Sequence, residues 1–190
     1  MCNDIFAQMP IKNLTKADIM KGLTRLSELA QKENIVLEIS LYGGALMLLA
    51  YDSRQTTKDV DAIIHPPEVG RRLAAKVALE MGWNDDWIND DVRFFVSPVE
   101  TRHPWRPRGL NAPYLRISKP TAKYLLAMKV MACRKALPGY LGDEADIAFL
   151  LKKMEIKSAA EVESIVDKYF PDTVLPAATN AVIEKILMRS

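Results

Sequence analysis

The chain predicts a mixed α/β (α+β) fold: a small mixed β-sheet flanked by helices, then a C-terminal helical annex. Three observations predict it. A β-branched strand at 35–41 runs into a glycine pair and an apolar helix, and a second strand follows at 59–64. Beyond Lys119-Pro120 every segment has helical periodicity. The 190 residues are 49% hydrophobic and 26% charged, which suits one domain, or one domain with an annex, and excludes a disordered chain. The boundary falls at 1–119 for the core and 120–190 for the helical subdomain.

The elements follow in order. Residues 15–33 form an amphipathic helix with Thr15 as N-cap, Asp18 three residues on, and Ile19, Leu23, Leu26 and Leu29 at helical spacing. Ala45–Ala50 is too apolar to be anything but a buried helix. The strand at 59–64 ends at Pro66-Pro67, and a helix runs from Pro67 to Met81 with Gly82 as its stop. Trp87–Asp90 reads as a turn or short helix, and Val92–Val96 as a strand. Glu100–Pro113, rich in proline and arginine, reads as a loop, and Tyr114–Ser118 as another short strand. Helices are expected at 120–136, 142–154, 158–169 and 175–188, with Ser158 and Glu161 as a capping box for the third.

Charge and cysteines narrow the classes. A formal net charge of +2 means that no global field attracts nucleic acid, so an RNA contact needs a local patch. Cys2 and Cys133 are the two cysteines; Cys133, inside a helical stretch, reads as a small buried hydrophobe rather than half of a disulfide. The cysteines and the two histidines show no zinc spacing. No basic and then apolar leader opens the chain, and no apolar run reaches the roughly 20 residues of a bilayer span. The expected location is the cytoplasm, with no membrane partner.

Chemistry concentrates in a few places. Two apart on one strand, Asp59 and Asp61 share a face and repel each other unless a cation or proton sits between them. Mg²⁺ (or Mn²⁺) suits them, being oxygen-liking and usually held by one or two carboxylates plus substrate phosphates. The alternative is two solvated aspartates at a strand end. Gly43 and Gly44 open a helix after a strand, where free N–H groups and a bare backbone admit phosphate; the alternative is a tight turn that needs small residues.

Lys129 falls in the middle of the apolar face made by Ala122, Leu125, Leu126, Cys133, Ala136 and Leu137. There it snorkels, pairs with a carboxylate or serves a phosphate. Asp143 and Asp146, at the start of the next helix, are positioned to pair with Lys129 or to help order a metal site, Asp143 alternatively serving as the N-cap. The loop Thr101–Arg108 carries three arginines and Trp105, fit to grip a phosphate backbone and stack a base, or to be a solvated connection.

Together, Leu41-Tyr42-Gly43-Gly44 and Arg54-Gln55-Thr56-Thr57-Lys58-Asp59-Val60-Asp61 resemble the Gly-Gly/Ser … Asp-x-Asp signature of the DNA polymerase β-like nucleotidyltransferase superfamily. Leu126–Ala132, around Lys129, and Asp143–Ile147 resemble blocks of its minimal bacterial branch, which includes the AbiEii-type and MenT-type toxins. Trp87-Ile88-Asn89-Asp90 is similar to a Trp-Leu-Asn-Asp block in some relatives. The resemblance spans about residues 35–150. It implies a nucleotidyltransferase fold with metal on Asp59 and Asp61, and nucleotide at Gly43, Gly44, Arg54, Thr57 and Lys129. It further implies Asp143 or Asp146 completing the site, and an NTP substrate. The acceptor it implies is a tRNA 3′ end or a protein hydroxyl, and a cognate antitoxin is an implied partner. Superfamily enzymes usually place a third carboxylate on a later central strand; the strands expected here at 92–96 and 114–118 carry none, which leaves Glu100, Asp90 or a helical aspartate as substitutes and activity open.

Overall fold

A computed structural model describes residues 13–137 and 142–189, so Cys2 lies outside the described residues. A short strand β1 (Leu14–Thr15) leads into helix α1 (Lys16–Lys32), where Thr15 and Asp18 cap each other reciprocally as the sequence predicts. Strand β2 (Leu37–Leu41) feeds helix α2 (Gly43–Tyr51), and β3 (Thr56–Thr57) pairs with β1. Strand β4 (Val60–His65) and helix α3 (Pro67–Met81) follow. Then come β5 (Ile88–Asn89), a 3₁₀ turn over Asp91–Phe95, β6 (Arg102–Pro104) and β7 (Leu115–Pro120). The rest is helical: α4 (Ala122–Ala132), α5 (Glu144–Lys153), α6 (Ala159–Tyr169) and α7 (Ala177–Leu187).

Five strands form one mixed sheet in the order β5-β4-β2-β7-β6. The β4–β2 and β7–β6 pairs are antiparallel, while β5–β4 and β2–β7 are parallel. On the inner face Leu37, Ile39, Leu41, Val60, Ala62, Leu115 and Ile117 are buried in one apolar cluster that also takes in residues of α1 to α7. The other face is polar. Cross-strand partners place Asn89, Asp61, His65, Glu38, Ser40, Arg116, Ser118 and Arg102 on it together.

Four expectations need correction. Asp91–Phe95 is a 3₁₀ turn, not a strand, and Phe94 and Phe95 are exposed, so this segment has no alternation to pair on. Ile88-Asn89 is an edge strand rather than a turn, because its register against Val60-Asp61 extends the sheet. Arg102–Pro104 pairs with β7 inside the stretch read as loop. Helix α4 also stops early. Cys133 adopts a left-handed backbone (φ 34°) and ends it at Ala132, so Ala136 and Leu137 leave the apolar face and are exposed. Cys133 itself is a half-buried free thiol.

Candidate functional site

Register brings the two halves of the site together. Tyr42 closes β2, its amide donating to the Asp61 carbonyl (2.9 Å), and α2 begins at the next residue. Gly43 sits at φ +60°, and a β-carbon there would meet Asp61 Cγ at 2.7 Å. The pair therefore does two jobs: Gly43 turns the chain through the left-handed region, and its bare face is filled by the Asp61 carboxylate. Gly44 is matched to Thr57 in the same way, since a β-carbon would lie 2.6 Å from Thr57 Oγ1 and 3.4 Å from an Arg54 guanidinium nitrogen. No side chain caps α2, so the first amides of its opening turn have no capping acceptor.

Asp59 and Asp61 are both half-buried, and among the described residues neither carboxylate takes part in a hydrogen bond or ion pair. Burial and the charge of Asp61 push the Asp59 carboxyl up to about 6. Burial also raises Asp61, while Lys129 and Arg134 pull it back. Two desolvated carboxylates with no hydrogen-bonding partner fit a divalent cation: one cation would relieve both burial and repulsion.

A third carboxylate does not join them. Among the described residues no group of three or more His, Cys, Asp or Glu could hold a metal ion. Glu100 instead accepts a hydrogen bond from the Tyr42 hydroxyl (2.8 Å) and lies 3.4 Å from Arg102. Asp90 pairs with Arg93. The Asp59/Asp61 pair would supply two ligands to Mg²⁺ or Mn²⁺, leaving the rest of the shell to phosphate and water.

Lys129 is 3% exposed, and its ammonium lies 2.7 Å from Asp143 and 2.9 Å from Asp146. Asp146 also receives Arg54 in a two-pronged pair at 2.7 and 2.6 Å, and Arg54 donates to the Gly142 carbonyl (2.7 Å). The backbone and guanidinium of Arg134 both donate to Asp143 (2.9 and 3.1 Å). Burial works against charge on Asp143, but Lys129 and Arg134 outweigh it and hold the carboxyl below its ordinary range. Of the roles open to Asp143 and Asp146, pairing with Lys129 is therefore the one the geometry displays, and Asp143 makes no side-chain cap to α5. From this group Lys129 and Arg134 act on Asp61, drawing its carboxyl down.

Two contributors were missed in the sequence. Arg134 influences both Asp59 and Asp61 yet looks like a helix-terminal surface residue, because only the left-handed turn at Cys133 swings it back over Asp143. Asn89 stands beside Asp61 only through the β4–β5 pairing, which a two-residue strand does not advertise. Comparison of the chain with protein-family models, curated proteins and solved structures finds no match at a significant level, so the functional reading rests on the site itself.

Proposed function

We propose that the protein is a Mg²⁺-dependent nucleotidyltransferase that moves a nucleoside monophosphate from an NTP to an acceptor hydroxyl, releasing pyrophosphate. The observation that carries this reading is the meeting of two half-buried carboxylates, without a hydrogen-bond or ion-pair partner among the described residues, with an uncapped helix start and the buried Lys129–Asp143–Asp146–Arg54 network. It agrees with the resemblance to DNA polymerase β-like enzymes, whose minimal bacterial branch adds an RNA 3′ end or a protein hydroxyl as acceptor. A cognate antitoxin is then the expected partner.

Each residue has a task. The opening amides of α2 donate to phosphate oxygens, which the helix dipole favours. Lys129, Arg54 and Arg134 supply the cationic groups on that side, and Asp143 and Asp146 fix where they sit. Tyr42, tied to Glu100, pins the turn that aims those amides. Asp59 and Asp61 would hold the metal, which when bound supplies charge neutralisation at the α-phosphate. The acceptor oxygen bonds to the α-phosphorus as the bond to the β-phosphate oxygen breaks, and the acceptor's proton is released to solvent.

Incubating purified protein with Mg²⁺ and each α-labelled NTP in a cell lysate tests this. A labelled acceptor that disappears with Asp59→Ala supports transfer; no labelling, or labelling indifferent to Asp59→Ala, rejects it. That no third carboxylate joins Asp59 and Asp61 among the described residues favours a second reading, a nucleotide-binding relative without turnover. Calorimetry separates the two, because Mg²⁺-dependent NTP binding with no pyrophosphate release supports the second.

A further inference from the structure

On the inner face of the sheet, four elements meet at a cluster that core packing does not explain. Lys119 follows Leu115 and Ile117 at alternate positions of β7, so its side chain leaves on the face that those two bury. Its ammonium lies 5.0 Å from the ring centre of Tyr51, the last residue of α2, and 5.2 Å from that of Trp105, just beyond β6. Helix α5 completes the group. Phe149 packs on Tyr51 with ring centres 5.8 Å apart, and one turn on Lys153 brings a second ammonium to 5.5 Å from the Tyr51 ring. Lys119, Tyr51, Trp105 and Phe149 are half-buried, and Lys153 is exposed.

What the cluster lacks is an acceptor. Among the described residues neither ammonium has an ion pair or a hydrogen bond, and neither the Tyr51 hydroxyl nor the Trp105 indole N–H has an acceptor. The Trp87 indole, by contrast, has the Ala74 carbonyl. Burial and the charge of Lys153 hold the Lys119 ammonium below its ordinary range, and no carboxylate draws it back up. A ring face steadies an ammonium on one side and leaves its other N–H groups unfilled. Two like charges and two neutral donors, with no acid among them, are completed by an anion that offers several oxygens. Rings already covered by ammoniums are not free to stack a base, and a single carboxylate would leave one positive charge unmatched. A phosphoryl dianion balances both charges and has oxygens enough for all four donors.

We propose that Lys119, Lys153, Tyr51 and Trp105 form a metal-independent site for a phosphate-sized dianion, either free phosphate or the phosphoryl group of a small monoester. The site uses none of the residues assigned to the nucleotide and stands or falls apart from the transferase reading.

The indole N–H signals of Trp83, Trp87 and Trp105 in an ¹⁵N-labelled chain test it, because only one of the three tryptophans belongs to the cluster. In EDTA, at ionic strength held constant with sodium chloride, added phosphate should move the Trp105 signal saturably and leave the other two in place. Sulfate should act alike, since the site offers donors only, and acetate should bind roughly tenfold more weakly. Lys119→Met should weaken phosphate binding roughly tenfold, and Lys119→Arg should restore most of it. Lys153→Met, a change at an exposed position, should also weaken binding, and it keeps the test open if Lys119→Met disturbs the Trp83 and Trp87 signals. Asp59→Ala should bind as the parent does. Tighter binding of phenyl phosphate than of phosphate would identify a monoester as the ligand; equal or weaker binding would identify the free ion. The proposal is overturned by the absence of a saturable Trp105 shift, by a shift that requires Mg²⁺, or by unchanged affinity in both lysine-to-methionine variants.

Discussion

Asp61 rests against the α-carbon of Gly43, leaving no room for a side chain between the strand that carries the acid and the turn that opens α2. The two residues are one structural unit: the backbone bends where it does because the carboxylate occupies the space that a β-carbon would need. Gly43→Ala incurs both penalties. The left-handed backbone costs about 1–2 kcal/mol in any L-residue, and the overlap with Asp61 adds to it. Removing the acid separates the two. In denaturant unfolding, Gly43→Ala should be less destabilising in an Asp61→Ala background than alone, with only the backbone cost left. Strictly additive effects would show that the contact does not bear on stability.

A second expectation concerns acidity. Asp59 titrates near 6 in the folded chain, against 3.8 in its absence. Between those values the folded state holds more proton than the unfolded state, so metal-free stability falls as pH rises from about 4 to about 6. Asp143 has the opposite sign: its lowered carboxyl contributes above 3.8, and that contribution is lost as pH drops below it. Melting in EDTA should therefore show Tm declining from pH 4.5 to 7, and Asp59→Asn should flatten the decline. With Mg²⁺ added, the gain in Tm should be larger at pH 8 than at pH 5, where protons compete for the same oxygens. A profile identical in parent and Asp59→Asn would assign the slope elsewhere.

How much of this could be read from the chain depended on how local the cause was. Lys129 was placed correctly at the centre of an apolar helix face because helical spacing alone puts it there, and it is indeed buried. Helix α3 was legible from Pro67 to Met81, since proline and glycine mark both ends. The partnership of Lys129 with both aspartates was open in the sequence and needed α5 to be packed against α4 before one role could be seen. The turn at Phe94-Phe95 was misread because aromatic and β-branched residues favour strands, whereas here no neighbouring strand is left for them to pair with. The arginines of the 101–108 stretch were visible as a loop composition, but only the register of β6 on β7, β2 and β4 shows that Arg102 shares a face with Arg116 and Asp61.

The buried network supports a third prediction. Lys129→Met keeps most of the volume but leaves Asp143 and Asp146 with one cation fewer in a place with almost no water. Breaking a buried pair on one side costs about 3–5 kcal/mol, and the remaining arginines put this case at the lower end. Urea unfolding should register a loss near 3 kcal/mol. Neutralising the counterpart in the double variant Lys129→Met/Asp143→Asn should recover part of it. A loss under about 1 kcal/mol would mean that the ammonium is solvated and free to serve phosphate alone.

The last prediction turns on Gly22, in the middle of α1. Replacing a helical glycine by alanine ordinarily gains about 1 kcal/mol, because the unfolded chain loses freedom and the helix gains a better former. Here a β-carbon would sit 2.8 Å from two ring carbons of Trp87 and 2.9 Å from Trp83. Trp87 cannot easily give way: its indole N–H donates to the Ala74 carbonyl (3.0 Å), its ring is 2% exposed, and Trp83 stacks at a tilt beside it. Overpacking of this kind costs typically about 1–3 kcal/mol, so the steric term exceeds the propensity gain and the sign reverses. Gly22→Ala should lower the denaturation midpoint and shift tryptophan emission as the ring pair moves. Because the Trp87 carbonyl accepts from the Val60 amide at the root of the Asp59/Asp61 strand (2.8 Å), Mg²⁺ binding should weaken in the same variant. A stabilised Gly22→Ala with unchanged emission would show that α1 can slide away from the tryptophans without disturbing β4.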